Sequence, residues 1–345
     1  MKTIIKTLLV SIASLSLMFS VNAGELSVNG TAKATYNVGS GSSGNQGIGI
    51  TNELNFKASG EMDNGYTWSY SMELDPASGG AANNDDTQIV LGLNDAGTIK
   101  VCVSECGNNK KYAWDASAYT SMSDTGTSYG IVYPGDAGAA GTSTIQYHTP
   151  ELPFGTTASA AYNYNMAGDA ASGNNAGTGG NSREEYSLVT KPVDGLTVSA
   201  HYNKVNDYND GVGTEQQFEE GGAYALKYSA GNFTVGYGRS LQAPELTTVV
   251  TTGTSLSHAE YYDNTGMSLA FAVNDDLSVS YTREVSEVNL ANSGTVTYDV
   301  EMDSVQVAYS LGGATLSIAR ADVENVGYIN GSDLEETIVA MTFAF

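Results

Sequence analysis

From Gly24 to the C-terminus, apolar residues recur at every second position in runs of about ten. Tyr66, Trp68, Tyr70, Met72 and Leu74 form one such series, interleaved with Thr67, Ser69, Ser71 and Glu73. Phe233-Val235-Tyr237, Leu277-Val279-Tyr281, Val305-Val307-Tyr309 and Val339-Met341-Phe343-Phe345 repeat it. A period of two gives an extended strand one apolar and one polar face, whereas a helical stripe would recur every three to four residues. Sixteen runs are predicted as strands: 25–36, 51–61, 65–75, 86–93, 97–103, 143–150, 155–165, 183–191, 195–205, 218–229, 231–240, 257–273, 276–288, 298–310, 314–324 and 334–345. The long 257–273 run is the place where a split would raise the number.

The connections alternate in length along the chain. Short ones, such as Met62-Asp63-Asn64, Asn94-Asp95-Ala96, Pro192-Val193-Asp194 and Leu311-Gly312-Gly313, carry tight-turn residues. Between them stand long Gly-, Ser-, Asn- and Asp-rich stretches at 37–50, 76–85, 104–142, 166–182, 206–217, 241–256, 289–297 and 325–333. An antiparallel up-and-down β-barrel standing in a membrane requires this alternation, with turns at one rim and loops at the other. A soluble sandwich has no reason for it. The polar strand faces are mostly neutral Ser, Thr, Asn and Gly, which suits a wet interior. About sixteen strands leave an aqueous lumen instead of a filled core.

Composition fits this all-β, transmembrane reading. Of 345 residues only 15% are charged, and 14 Lys and Arg face 38 Asp and Glu for a net −24. Such acidity leaves no basic footprint for nucleic acid. Lys2 and Lys6, the apolar run Leu8–Val21 and the small-x-Ala site Val21-Asn22-Ala23 predict a secretory signal peptide over 1–23. The barrel domain is then 24–345, with a charge of 12 − 38 = −26.

With these features in place, the chain resembles a Gram-negative general porin. The last strand, Glu336-Thr337-Ile338-Val339-Ala340-Met341-Thr342-Phe343-Ala344-Phe345, ends on Phe as porins do. Gly24-Glu25-Leu26-Ser27-Val28-Asn29-Gly30, and Tyr261-Tyr262-Asp263-Asn264-Thr265-Gly266 with Leu277-Ser278-Val279-Ser280-Tyr281, are similar to porins of marine alphaproteobacteria. The resemblance implies an outer-membrane location and a homotrimer. It also implies passive diffusion of small solutes and ions, a third loop folded into the lumen, and Phe345 as the signal read by the outer-membrane assembly machinery.

The third long connection, 104–142, is the longest. It carries Glu105, Asp115, Asp124 and Asp136, together with Lys110, Lys111, Tyr112, Trp114 and Tyr119. Alternation turns Lys33, Lys57 and Lys100 inward on the first, second and fifth strands. By resemblance, Asp115 and Asp124 on the inserted loop are expected to face Lys33 and Lys57 across a constriction, with Glu105 and Lys100 in the same set. Ordinary solvated charges elsewhere along the pore are the other reading. Carboxylates in the pore favour cations, so a mild cation preference is expected. A channel specific for one solute class, with Tyr112, Trp114 and Tyr119 as a binding track, is the alternative function.

Cys102 and Cys106 stand at the loop's root with C-x3-C spacing. In an exported protein a disulfide is expected there, against two free thiols or a metal pair. Two cysteines and three scattered histidines are too few for a zinc set, and no catalytic motif or cofactor fingerprint occurs. No enzyme activity is expected. Tyr202-x-Lys204, Tyr237-x-Arg239 and Tyr281-x-Arg283 recur at strand ends, and Arg320 shares their parity. These bases either stand outside an aromatic girdle against lipopolysaccharide phosphates or, if the strands bulge, line the vestibule.

Overall fold

The computed structural model describes residues 26–41, 46–76, 82–103, 109, 111–117, 143–163, 182–206, 217, 219–244, 259–290 and 296–345. The predicted signal peptide, Glu105, Cys106, Lys110, Tyr119, Asp124 and Asp136 lie outside these residues.

Sixteen strands run in chain order. They are β1 Ser27–Gly41, β2 Gln46–Glu61, β3 Thr67–Pro76, β4 Ala82–Gly92, β5 Thr98–Val103, β6 Thr144–His148, β7 Thr157–Asn163 and β8 Ser182–Val193. Then follow β9 Leu196–Asn206, β10 Glu220–Ala230, β11 Phe233–Ala243, β12 Ala259–Ala272, β13 Leu277–Leu290, β14 Val300–Ser310, β15 Ala314–Glu324 and β16 Leu334–Ala344. Each pairs antiparallel with its sequence neighbours, and β16 returns to β1 to close the barrel. The seam runs from Thr31↔Ala344 to Gly41↔Leu334, and Phe345 and Gly30 exchange both backbone hydrogen bonds at its end. Closure matters because an open edge would leave unpaired N–H and C=O groups in hydrocarbon. The run at 257–273 is one strand.

Two predicted loops are largely strand. The β1–β2 ladder continues to Val38↔Gln46, and the β3–β4 ladder to Pro76↔Ala82 past a bulge between Met72 and Leu74. Gly, Ser and Asn are poor strand formers alone, but an in-register partner supplies their backbone hydrogen bonds. The short turns follow their predicted chemistry. Asn274 Oδ1 accepts from the N–H groups of Asp276 and Leu277 at 2.9 Å, and Gly195 adopts φ 74° where a side chain would strike the Ser229 carbonyl.

Strand pleating separates the two faces. Val235, Leu269, Val279, Val305, Val307, Ile318 and Phe343 are exposed on the outside. Their in-between neighbours Ser240, Ser268, Ser280, Thr282, Ser304, Gln306 and Ser317 are buried on the inside. Toward the long-loop rim of β12–β16 this pattern inverts. There the outward positions are Asp263, Arg283, Glu301, Asp303, Arg320, Asp322 and Glu335. The inward ones are Val288, Leu290, Val300, Met302, Ala321, Val323, Leu334 and Ile338, which form a buried apolar cluster with Tyr262 and Tyr328. Charged outside and apolar inside is the arrangement of a barrel standing in water, so the inversion marks where these strands leave an apolar surround.

Candidate functional site

The lumen wall is the candidate site. Lys33 on β1 pairs in register with Thr51 and Thr342, and Lys57 on β2 with Ser27 and Ser71. Lys100 on β5 pairs with Val90 and with the buried inward Gln146. The exposed Val28 and Ile50 on β1–β2, and Ile89, Val101 and Ile145 on β4–β6, take the opposite parity to these lysines, which puts the lysines on the face away from the apolar exterior. Cys102, two residues on from Lys100, is fully buried and disulfide-bonded.

Within the third long connection, residues 109 and 111–117 cross the inner face of the opposite wall. The Asn109 N–H donates to Glu185 Oε2 at 2.7 Å, and Ser187 Oγ donates to the Asn109 carbonyl at 2.6 Å. The Ala113 N–H reaches Ser199 Oγ at 3.4 Å. Ser268 Oγ donates to the Trp114 carbonyl at 3.2 Å and accepts from the Ala116 N–H at 2.8 Å. Thr282 Oγ1 donates to Asp115 Oδ1 at 3.3 Å, while Ser117 holds both Asp115 oxygens. The strap therefore passes from β8 over β9 and β12 to β13. Asp115 faces the β13 wall, beside the buried carboxylate of Glu284.

Trp114 is only 5% exposed and lies on the inward glycines Gly236, Gly238 and Gly266 of β11 and β12. It is a packing group in the wall, which removes it from the expected aromatic track. At the start of the strap, Arg183 Nε stands 3.0 Å from Glu185 Oε1, both side chains sealed from solvent.

Sequence reasoning had no means of assigning Ser187, Ser199, Ser268, Thr282 and Glu284 to the strap. These are ordinary polar positions on strands distant in sequence, and only barrel closure brings them to one segment. The glycines did carry a legible signal, since Gly236, Gly238 and Gly266 share the inward parity of adjacent strands.

No protein-family model and no curated protein matches this sequence. Solved structures do match in shape. OmpF of Salmonella typhi, solved with daunomycin, aligns with a TM-score of 0.66 at 14% identity over 93% of this chain and 98% of its own. The anion-selective porin of Comamonas acidovorans gives 0.66 at 11% identity over 93% and 100%. OmpT of Vibrio cholerae, in a trimer form, gives 0.60 at 12% identity over 94% and 100%.

The chain has the fold of the general porins.

On the outer face of this barrel the recurrent bases stand with outward parity, beside the tyrosines. Arg239 grips Asp263 with two nitrogens at 2.9 and 2.5 Å. Arg283 Nη1 binds Asp303 at 2.7 Å, and its Nη2 binds Glu301. Arg320 lies 3.1 Å from both Asp322 and Glu335. Lys204 pairs in register with Glu184 and Glu220, and the Tyr202 hydroxyl donates to Glu220 at 2.7 Å. The belt is a row of matched charges with carboxylates in excess. Alternation along one strand carries no hint of Asp263, Glu301, Asp303 and Glu335 as partners, because each comes from the next strand, whereas Asp322 stands two residues beyond Arg320 on β15 itself.

Proposed function

We propose that this protein is a diffusion channel of the Gram-negative outer membrane, conducting small hydrophilic solutes and ions through the lumen without catalysis. The observation that carries it is the closed sixteen-strand barrel with apolar residues outside, polar residues on the inner wall, and a strap of its own third connection against that wall. A barrel of this strand number encloses an aqueous path, and the likeness to porins agrees. The long loops then face outward from the cell, the short turns the periplasm. A homotrimer is proposed from the resemblance and from the trimer form of the Vibrio cholerae relative.

Lys33, Lys57 and Lys100 would line the path on one wall, with Asp115 and the acids Glu105 and Asp124 of the third connection opposite. Cys102 is proposed to pair with Cys106 and so pin that connection at its root. The chain's net negative charge supports a mild cation preference, although a structural relative is anion-selective by name. Lys204, in register with two carboxylates, and Arg239, Arg283 and Arg320, already paired with carboxylates, would meet the phosphates of lipopolysaccharide with help from divalent cations.

Planar-bilayer recording of the mature protein tests the reading. The expected result is stepwise, ohmic channels with a reversal potential shifted toward the cation in a salt gradient. A protein that folds and inserts but never conducts would refute it, and an anion-shifted potential would refute the selectivity alone. Saturable blockade by one solute class would favour the specific-channel alternative. That track would have to do without Trp114, whose ring is buried in the wall.

A further inference from the structure

Three glycines on the inner wall have no room for anything larger, because a tryptophan occupies the space. A Cβ on Gly238 would come within 2.6 Å of Trp114 Cδ1 and 2.5 Å of the Tyr112 hydroxyl. On Gly266 it would fall 2.6 Å from Trp114 Cη2, and on Gly236 it would collide with the Trp114 carbonyl oxygen. Contacts under 3.0 Å are not found for real Cβ atoms, and here the obstacles are a rigid ring and a backbone group. Gly238 and Gly266 are direct partners across β11 and β12, with Gly236 next in the inward row. Together they make a flat-floored slot one indole wide. Glycine weakens a strand, so its presence at a close approach marks what the wall must admit.

Hydrogen bonds fasten the strap on both sides of the ring. Ser268 clasps the Trp114 carbonyl and the Ala116 N–H, Ser199 takes the Ala113 N–H, and Thr282 holds Asp115. Elsewhere the inner rows of β11 and β12 carry Ser240, Gln242 and Asn264. Any of these side chains in the slot would lift the strap by about the width of a side chain toward the barrel axis.

We infer that the slot formed by Gly236, Gly238 and Gly266 is the specificity-determining element of this channel. By seating Trp114 flush with the β11–β12 wall, it fixes how far the strap projects and hence the free aperture. This rests on the diffusion-channel reading. Trp114 acts as a positioning residue, holding the strap without touching the permeating solute. Large solutes are excluded by the strap's height, which glycine sets at its minimum.

The test uses the mature chain with Trp68→Phe, so that Trp114 is the one remaining tryptophan of the two. Gly238→Ala and Gly266→Ala are compared with Gly222→Ala, an outward glycine of β10 with no neighbour nearer than 3.8 Å. Heat-modified gel mobility confirms that each variant folds. The expected result is that Gly238→Ala and Gly266→Ala lower single-channel conductance and reduce the largest sugar admitted in liposome swelling. Iodide quenching of Trp114 fluorescence should rise in both, with Gly222→Ala unchanged on all three readouts. Trp114→Ala, which leaves the wall intact and removes the anchor, should change conductance by loosening the strap, giving noisier open levels. Wild-type conductance and quenching in folded Gly238→Ala and Gly266→Ala would overturn the proposal, whatever Trp114→Ala does. A wild-type protein that conducts nothing refutes the channel reading instead, and quenching then still reports whether the slot holds the indole.

Discussion

Arg183 and Glu185 lie side by side along β8, sealed inside the wall, and their removal should show how a buried ion pair behaves. Their 3.0 Å contact is accompanied by guanidinium nitrogens with no hydrogen-bond partner, so the charge is incompletely solvated by the protein. Taking away one partner strands the other in a dry site, at a cost of about 3–5 kcal/mol, whereas replacing both with apolar groups is often neutral. Arg183→Met is therefore expected to lower the urea midpoint substantially, and Arg183→Met/Glu185→Leu to recover most of the loss. A double variant less stable than the single one would show that the pair is net stabilising. Glu284 presents the opposite case. It is buried on β13 with Oε1 unpartnered and with Asp115 as a like-charged neighbour. Glu284→Gln keeps the shape and removes an ionisable group from a buried site, so it should stabilise by roughly 1 kcal/mol, read as a higher thermal midpoint.

Among the described connections, the β15–β16 one is held by several specific contacts. Asn325 takes φ 55°, a conformation Asn tolerates, and its side chain accepts from the Gly331 N–H at 3.1 Å and donates to the Asp299 carbonyl at 3.0 Å. Tyr328, at φ 63°, is a bulky residue in the left-handed region, which costs about 1–3 kcal/mol and persists only when its surroundings hold it. They do so here. Its hydroxyl lies 2.6 Å from Ser286 Oγ, its ring packs 5.8 Å from that of Tyr262, and it caps the apolar cluster inside β12–β16. Burial pushes its phenol well above the usual tyrosine range, with the Ser286 hydrogen bond opposing in part. The neutral form is thus the one that fits, and stability should fall as pH rises past the point where unfolded tyrosine ionises, near 10. Tyr328→Phe should cost about 1 kcal/mol for the lost hydrogen bond. Tyr328→Ala should cost about 3 kcal/mol through the cavity, both measured by denaturant unfolding in detergent. Equal losses in the two would mean that the hydroxyl, and not the ring, carries the contact.

At the scale of the molecule, the seam between β1 and β16 decides whether there is a barrel at all. Phe345 completes it with two hydrogen bonds to Gly30, at 2.8 and 3.0 Å. Two bonds among a whole ladder contribute little to equilibrium stability, so the proposed role of Phe345 as an assembly signal can be separated from its place in the seam. Deleting Phe345 should leave detergent refolding near wild type while lowering the amount inserted in the outer membrane of cells. Loss of refolding in vitro would assign it a structural role.

The strand number and the antiparallel order were legible in the chain. They depend on alternation and on connection length, which are properties of neighbouring residues. The extra length of β1 to β4 was hidden, since Gly- and Ser-rich ends become strand only when a partner supplies hydrogen bonds. The acids that match Arg239 and Arg283, and Glu335 beside Arg320, were hidden for the same reason, as each stands across the ladder on an adjacent strand. The switch from Leu316 and Ile318 to Arg320, Asp322 and Glu324 on one parity, with Ala319, Ala321 and Val323 on the other, stands in the sequence, but alternation alone does not say what surrounds each face. By itself, then, the sequence determined which residues share a face, because pleating sends each side chain opposite to its neighbours. Tertiary structure alone decided what those faces meet. Closing the barrel brought Ser187, Ser199, Ser268 and Thr282 to one strap and three glycines under one indole, contacts between residues up to 167 positions apart that no local pattern can encode.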